Sequence, residues 1–430
     1  MSKLRTSVLA LGAAIVALTA LATTASGASH SKSAVSGNLA FVGIWTGPEQ
    51  KNFQLVLDGF KKKFPDVSVK YTSGGDNTPT ILSTAIAGGN PPDLAAVGQP
   101  GLVKQFAGRQ AIKPLTFVKP IMSKNYAASW VTLGTYSGKL YGMVFKGANK
   151  STVWYSTSAF KNAGVKPPKT WPQLMTAAKT LRASGTKAYS IAGADGWTLT
   201  DLFENIYLRQ AGPLKYDKLA AHTIKWTDPT VKTALQTMAQ IFSDTGNIFG
   251  GTSGALQTDF PTSVNNVFSI PPKAAMVMEG DFVPGASTTK AKAITDYNEF
   301  AFPSIGSGVS SVVGGGDTVV MFKDTPAARA LVTYLATPEA ATIWAKRGGF
   351  SSPNKGVKAS AYPDALTRAT AIALARAKVF RFDMSDLAPA AFGGTPGQGE
   401  WQILQNFLKN PKDVNGAASK LETAAAAAYK

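Results

Sequence analysis

The sequence predicts an α/β protein built of two lobes, and three observations favour this fold class. The chain has 430 residues, which is long for a single hydrophobic core. Its first third alternates short apolar strands with amphipathic helices, as parallel α/β units do. A later stretch, from residue 170 onward, repeats the same alternation and therefore indicates a second lobe.

The first lobe opens with a predicted strand at 38–44. The helix that follows has apolar residues three or four positions apart, and Pro65 ends it. Residues 67–71 alternate like a strand, 81–87 form a short predicted helix, and 93–97 form a buried strand. Strands and helices in this order are typical of a parallel sheet.

The second lobe begins with clear helix signals. Thr170 and Gln173 are spaced as a capping box, in which both side chains satisfy amides of the first helical turn. Asp228 and Pro229 begin another helix as N-cap and first-turn proline. The apolar run 274–278 predicts a strand that returns toward the middle of the molecule.

The last third of the chain is predicted to cross between the lobes once more. Residues 300–311 form the crossing segment, and 318–322 form the strand after it. Pro326 and Pro338 each follow a threonine and begin two successive helices. The alanine-rich residues 424–428 predict a helical tail without chemistry of its own.

The N-terminus is typical of a secretory signal. A short positive region precedes the apolar residues 8–22, and small residues follow. Cleavage after Ala28 would make 1–28 the signal peptide, and cleavage after Ala25 fits the same small-residue rule. The alternative is an uncleaved anchor, because residues 6–29 carry no charge and nearly suffice to span a bilayer.

The charge of the chain is strongly positive. There are 44 Lys and Arg residues against 25 Asp and Glu, a net charge of +19, and removal of Lys3 and Arg5 leaves +17. Such a balance suggests an anionic partner. The lysines are scattered, however, and the densest cluster, 61–63, ends a helix where cations suit the dipole. We therefore expect no nucleic-acid binding, and only a general attraction to an acidic cell envelope.

The composition argues against most enzyme classes. Without cysteine there are no disulfides, thiolate nucleophiles or thiolate metal sites, and two histidines are too few for a multi-histidine metal site. The complete motifs of phosphate loops, dinucleotide-binding loops and serine hydrolases are absent. We therefore expect no enzyme, cofactor or metal. Two carboxylates would suffice for a secreted carbohydrate-active enzyme, which remains one alternative. A binder of an anionic small molecule is the other.

Several short motifs follow one another along the chain in a fixed order and spacing. They are Phe64-Pro65-Asp66-Val67, Ala87-Gly88-Gly89-Asn90-Pro91-Pro92-Asp93, Gly138-Lys139-Leu140-Tyr141-Gly142, Phe160-Lys161-Asn162-Ala163-Gly164-Val165 and Thr170-Trp171-Pro172. Together they resemble the extracellular solute-binding proteins of bacterial sugar importers, in particular the α-glucoside-type members of the maltose-binding-like family. The resemblance covers nearly the whole mature chain.

The resemblance implies a periplasmic-binding-protein type II fold with a hinge and an interlobe ligand cleft. Because the chain of this family weaves between lobes, each lobe is expected to be discontinuous. After a linker at 29–36, lobe 1 takes 37–148 and 303–346, and lobe 2 takes 149–302 and 347–430.

The resemblance also implies the function. It is the binding component of an ABC transporter, a monomer that captures a sugar, an α-glucoside or oligosaccharide, by lobe closure. Its partners are the sugar and the transmembrane permease subunits with their ATPase. The protein would act outside the cytoplasm. Gram-positive relatives usually carry a lipid-anchored cysteine, so the lack of cysteine favours a periplasmic, secreted or helix-anchored form.

Sugar recognition needs aromatic rings against the C–H faces of the ring and polar groups around the hydroxyl rim. In a two-lobed α/β protein these groups come from loops that follow strands. Trp45, Thr46 and Glu49 follow the first predicted strand, although Trp45 could instead cap the core. Asp76 follows the second strand, or merely caps the next helix. Gln99 follows the third, where relatives place a polar sugar contact.

Four further candidates come from the middle of the chain. Lys146 lies near the first lobe crossing, as a hinge or cleft residue or as a solvated lysine. Trp197 lies in a glycine-rich loop where relatives supply a stacking aromatic. Asp281 and Phe282 end the strand at 274–278. Relatives carry a stacking ring there, usually tryptophan, and phenylalanine lacks the indole donor.

The last candidates lie in the final third. Glycines 314–316 let backbone approach a ligand closely, so Gly315 is expected to contact it, unless the segment is a plain turn. Asp317 can accept hydrogen bonds from hydroxyls. Phe350 is expected to complete the cleft, and Trp401 fits either a binding or a packing role.

Overall fold

The computed structural model describes residues 35–306 and 311–430. The predicted signal peptide, most of the predicted linker and part of the predicted crossing segment lie outside these ranges. Within them, no helix is long and apolar enough to cross a bilayer.

The strands form the framework of the molecule. They are β1 (Gly37–Gly43), β2 (Val67–Ser73), β3 (Leu94–Val97), β4 (Thr135–Tyr136), β5 (Lys139–Leu140), β6 (Gly142–Asn149), β7 (Thr152–Ser156), β8 (Lys187–Tyr189), β9 (Ala274–Met278), β10 (Tyr297–Ala301), β11 (Val312–Met321) and β12 (Phe380–Phe382).

The helices pack on the sheets and between them. They are α1 (Gly47–Lys63), α2 (Thr78–Ala87), α3 (Pro100–Gly108), α4 (Lys119–Asn125), α5 (Ala128–Leu133), α6 (Thr157–Asn162), α7 (Trp171–Ala183), α8 (Trp197–Ala211), α9 (Pro213–Ala220), α10 (Pro229–Phe242), α11 (Gly251–Ala255), α12 (Phe260–Phe268), α13 (Val283–Ala286), α14 (Pro326–Leu335), α15 (Pro338–Ala345), α16 (Ala365–Arg376), α17 (Met384–Leu387), α18 (Ala390–Gly393), α19 (Gly399–Lys409) and α20 (Val414–Ala428).

A six-stranded sheet has the order β12-β11-β3-β1-β2, with β6 paired to β11. β1 runs parallel to β2 and β3, as the order of elements predicts. β11 runs antiparallel to β3 and β6, so the chain reverses direction when it returns to this sheet. The first α/β units therefore place the ends of β1, β2 and β3 on one edge.

A four-stranded sheet has the order β10-β7-β9-β8. β8 and β9 are parallel, whereas β7 is antiparallel to both of its neighbours. The chain passes from the first sheet to the second between β6 and β7, and it returns between β10 and β11. β12, from the C-terminal third, pairs with β11 in the first sheet.

Local sequence signals account for most element boundaries. In α1 the predicted apolar face is buried, with Phe53, Val56 and Phe60 fully excluded from solvent. The Thr170 hydroxyl accepts a hydrogen bond from the Gln173 amide, as the capping box predicts. The Gln173 side chain, however, accepts from the Lys169 amide at 2.9 Å, one residue before the expected donor.

One strand is longer than predicted. β11 begins at Val312, so the three glycines at 314–316 lie inside a strand and not in a turn before one. A Cβ at Gly314 would lie 2.1 Å from the Phe380 ring, and one at Gly316 would lie 2.8 Å from Val144. The glycines thus permit close packing of β11 against its neighbours.

Candidate functional site

A cavity of about 470 Å³ lies where loops after β1, β2 and β3 face segments next to the four-stranded sheet. Nine of the twelve residues predicted for binding line it. They are Trp45, Thr46, Glu49, Asp76, Gln99, Lys146, Trp197, Phe282 and Asp317. These predicted binding residues, several of which follow strands, therefore lie around one space.

The other three predicted residues lie behind the cavity wall. Asp281 is buried and accepts a hydrogen bond from the Ser351 hydroxyl. Gly315 lies in β11, and only the neighbouring glycine at 316 reaches the cavity. Phe350 stacks on Trp344 in the core with ring centroids 5.3 Å apart. Packing and support, not contact with the cavity, explain these positions.

Trp45 serves both the core and the cavity wall. It is only 1% exposed, and its ring packs against Phe53 with centroids 4.5 Å apart. Its indole nitrogen donates to Asp317 Oδ2 at 2.6 Å, and its carbonyl accepts from the Tyr71 hydroxyl at 2.9 Å. The ring is therefore held in one orientation. Trp45 therefore packs in the core, as one of its two sequence interpretations holds, and it also lines the cavity, while its contact with a ligand stays a prediction.

Lys146 lies next to Trp45 in the cavity wall and pairs with two carboxylates there. Its ammonium group forms an ion pair with Glu49 and lies 3.8 Å from Asp317 Oδ2. Burial opposes the charge of Lys146, but the two carboxylates prevail and raise its pKa. Burial also raises the pKa of Glu49, against the attraction of Lys146. Lys146 is a structural cation of the wall.

Lys150 is the second cation of the wall, and it was not among the residues predicted from the sequence. Its Nζ lies 3.0 Å from Asp201 Oδ1, 2.5 Å from Asp383 Oδ2 and 3.5 Å from Asp386 Oδ2. It also lies 5.7 Å from the ring centre of Trp197. Burial opposes its charge, but these carboxylates raise its pKa well above the ordinary value.

Aromatic rings form another part of the cavity wall. Trp197 contacts Phe260 with centroids 5.1 Å apart and Phe282 at 6.0 Å. Trp401 also lines the cavity and packs on Gly196, where a Cβ would lie 2.8 Å from the Trp401 Cβ. Gly196 has a φ of +80°, so glycine suits both its backbone and this contact.

Near these rings lie three carboxylates that form no salt bridge with any lysine of the described ranges. Asp195 accepts from the Phe260 amide at 2.6 Å, and Asp259 caps α12 by accepting from the Thr262 amide at 2.8 Å. Burial raises the pKa of Asp195 to about 6. Asp76 opens to solvent through the cavity, yet the protein around the cleft still desolvates it and, with Asp195, raises its pKa to about 7.

Sequence reasoning missed several lining residues because their signals are tertiary. Lys150 donates hydrogen bonds to residues 51 and 233 positions away in the chain, and no local motif predicts these contacts. Asp386 joins the same cluster, and Phe260 reaches the cavity from the first turn of α12. Asp195 was detectable, since it lies two residues before Trp197 in the same glycine-rich loop.

The wall can stack a ring-shaped molecule and accept hydrogen bonds from it. Aromatic faces suit C–H surfaces, and carboxylate and amide oxygens suit hydroxyl donors. Both lysines already face carboxylates of the protein itself. Within the described ranges no cluster of three or more His, Asp or Glu side chains could hold a metal ion.

Comparison with known proteins agrees with this architecture. Residues 45–342 match the family model for bacterial extracellular solute-binding proteins. An osmoprotective compounds-binding protein of Synechocystis sp. is 33% identical over 363 residues, which cover 83% of this chain and 85% of that protein. An α-glucosides-binding periplasmic protein of Rhizobium meliloti is 33% identical over 399 residues, which cover 89% and 86%.

A solved structure of the bacterial solute receptor AcbH, described as preferring β-D-galactopyranose, superposes with a TM-score of 0.81. The match covers 92% of this chain and all of that one at 19% identity, so it bears on the fold alone. The predicted fold class, the two-lobed α/β fold of periplasmic binding proteins, is confirmed.

We expect replacement of Lys150 by methionine to destabilise the fold. Lys150→Met leaves Asp201, Asp383 and Asp386 without their cation inside the protein. Loss of one partner of a buried ion pair costs about 3–5 kcal/mol of unfolding free energy. Chemical denaturation at neutral pH measures the change. Lys179→Met, at an exposed position on α7, is the matched control, and an equal effect of both variants would refute the structural role.

We also expect Glu279 to make the fold less stable as pH rises. Glu279 is 2% exposed, and burial raises its pKa to about 8 although Lys150 opposes the shift. The folded state therefore keeps a proton that the unfolded chain releases above its ordinary pKa, so stability falls from about pH 4.5 to about pH 8. Glu279→Gln removes this proton linkage.

The melting temperature, measured at several pH values between about 5 and 8, should decline less in Glu279→Gln than in the unmodified protein. Asp66→Asn, a neutralised carboxylate at an exposed position, should leave the decline unchanged. An unaltered slope in Glu279→Gln would show that its proton is not linked to folding.

Proposed function

The chain belongs to the family of bacterial extracellular solute-binding proteins, and we propose that it captures a sugar in the cavity and delivers it to an ABC permease. The proposal rests on the composition of the cavity wall. Trp197, Phe260 and Phe282 offer ring faces, and Asp76, with other side-chain oxygens, offers acceptors for hydroxyl groups. This is the chemistry that a pyranose requires.

We infer that the sugar is an α-glucoside. Support comes from the α-glucosides-binding protein of Rhizobium meliloti, since its 33% identity extends over 89% of this chain. The cavity of about 470 Å³ is also in the range of small-molecule sites. Phe282, at a position where the sequence resemblance implies a stacking ring, lines the cavity.

The charge of the wall favours a neutral ligand over an anionic one. The two lining lysines are neutralised by carboxylates of the protein, so neither is available to an incoming anion. Six lining carboxylates face the same space. They are Glu49, Asp76, Asp195, Asp259, Asp317 and Asp386. These carboxylates would repel an anionic ligand, despite the positive charge of the whole chain.

We propose that closure of the two lobes traps the sugar. The wall combines Trp45, Gln99 and Asp317, from segments next to the six-stranded sheet, with Trp197 and Phe282, from segments next to the four-stranded sheet. A ligand that contacts both groups binds the closed form more tightly and shifts the population toward it. The closed form would dock on the permease outside the cytoplasm.

The first test is a thermal-shift panel on the protein, with α-linked glucose disaccharides, other neutral sugars, uronates and sugar phosphates. A ligand at about 100 times its Kd raises the unfolding free energy by about 2.7 kcal/mol, which gives a measurable shift. We expect shifts from α-glucosides and none from the anions. Chromatography of the sugar after incubation should show no product.

Other outcomes would contradict particular parts of the proposal. A shift with another neutral sugar alone would reject the α-glucoside assignment and keep the sugar-binding function. A shift with anions alone would reject both. Product formation would identify a carbohydrate-active enzyme instead of a binding protein.

Trp197 should contribute strongly to affinity. Trp197→Ala removes a large ring from the wall, and loss of its apolar contact should weaken binding by about 1.5–3 kcal/mol, or roughly 10–150-fold in Kd. Isothermal titration with the sugar found in the panel measures it. Tyr136→Ala, at a 37% exposed position outside the cavity wall, is the control. Equal affinities of the two variants would exclude Trp197 from the binding surface.

A further inference from the structure

The acidic side chains of this protein are turned inward to an unusual degree. Six carboxylates are buried. They are Asp201, Glu204, Glu279, Asp281, Asp383 and Glu400. Among the described residues, Lys146 and Arg209 are the cations with comparable burial, and Lys150 is nearly as buried. Because more negative than positive charge is removed from the surface, the exterior is more basic than the net charge of the chain indicates.

Part of this positive charge is concentrated on one surface, which we call the basic face. It consists of Lys124, Lys346, Arg347, Lys355, Lys358 and Arg368. Arg368 is half-buried, and the other five are exposed. None of the six lines the cavity, so the basic face is separate from the sugar site.

Backbone contacts bring these residues together from separate segments. The Lys355 amide donates to the Asn125 carbonyl at 2.7 Å, which places Lys355 beside the end of α4. The Arg368 guanidinium donates to the Ala359 carbonyl at 3.1 Å, next to Lys358. These bonds place the end of α4, the loop after α15 and the start of α16 next to one another.

The segment with Lys346 and Arg347 lies against the same group. A Cβ added at Gly348 would be 3.5 Å from Pro363 and 3.9 Å from the Thr367 hydroxyl. Lys346 and Arg347, which directly follow α15, therefore lie near the start of α16.

Little negative charge compensates the basic face. Across residues 119–127 and 340–378, Asp364 is the one acidic residue. Its two oxygens accept hydrogen bonds from the amide and hydroxyl of Thr367, both at 2.8 Å. The nearby Glu339 forms a 2.6 Å ion pair with Lys63. In the part of the chain that the structure describes, none of the six cations forms a salt bridge, so their charge is directed to solvent.

We propose that the basic face binds the anionic headgroups of a lipid bilayer and holds the protein against the membrane surface. A bilayer rich in anionic lipid attracts each nearby lysine or arginine enough to change partitioning by roughly five-fold. Several such residues on one face therefore give reversible binding without an inserted segment. Because the cavity is separate, a protein bound in this way can still take up its ligand.

The test is co-sedimentation of the protein with vesicles of phosphatidylcholine, with and without phosphatidylglycerol. We expect binding only to vesicles that contain phosphatidylglycerol, and loss of binding as salt rises and shortens the Debye length. The variant Arg347→Glu/Lys355→Glu/Lys358→Glu should reduce the partition coefficient more than ten-fold. Circular dichroism and the thermal shift by sugar verify that this variant is folded.

The matched control is Lys166→Glu/Lys412→Glu/Lys420→Glu, which changes net charge equally at exposed positions outside the basic face. It should reduce partitioning less than three-fold. Equal losses in both triple variants would show diffuse attraction and overturn the assignment to the basic face. Failure to bind phosphatidylglycerol vesicles at low salt would also overturn it. So would binding of soluble polyphosphate, but not of vesicles, through the same three residues.

Discussion

The burial of Lys150 among carboxylates is the constraint on which the rest of this structure depends. Lys150 lies in the short passage from β6 to β7, where the chain leaves one sheet for the other. Its partners come from α8, through Asp201, and from the segment after β12, through Asp383. A cation can be desolvated at this depth only if its partners are held accurately. The ion pairs therefore fix the position of the C-terminal third against the sheet junction.

The pairing of buried cations with carboxylates also determines which ligands suit the cavity. Carboxylates of the protein neutralise the positive charge of Lys146, as they do that of Lys150, and Trp45 donates its indole hydrogen to Asp317. Both lysines of the wall and the Trp45 indole are therefore paired within the protein. The oxygens that remain favour a molecule rich in hydroxyl donors, and the aromatic rings of the wall favour one with flat apolar faces. Rigid supporting contacts of this kind orient a site before the ligand arrives.

The sequence predicted the parts of the structure that local rules determine. The apolar stripe of α1, the threonine caps and the strand–helix alternation depend on neighbours in the chain, so β1 to β3 and their helices lie close to the predicted positions. Site residues placed after these strands, such as Gln99, line the cavity. The cluster around Lys150 could not be predicted, because it depends on contacts between residues 51 and 233 positions apart. β11 was predicted too short, since glycines that indicate a turn locally here permit close strand packing.

Many carboxylates of this protein are buried and most of its lysines are exposed, so acidic and basic side chains have different roles. The buried carboxylates are tied to the fold, because Glu204 accepts hydrogen bonds from the amides of Met384 and Ser385, and Asp383 pairs with Lys150. In the part of the chain that the structure describes, most exposed lysines form no salt bridge, and exposed charges contribute little to stability. The exterior charge can therefore respond to the surroundings of the protein without disturbing the binding site. A strongly basic chain can thus present an acidic cleft to its ligand and a cationic surface to its environment.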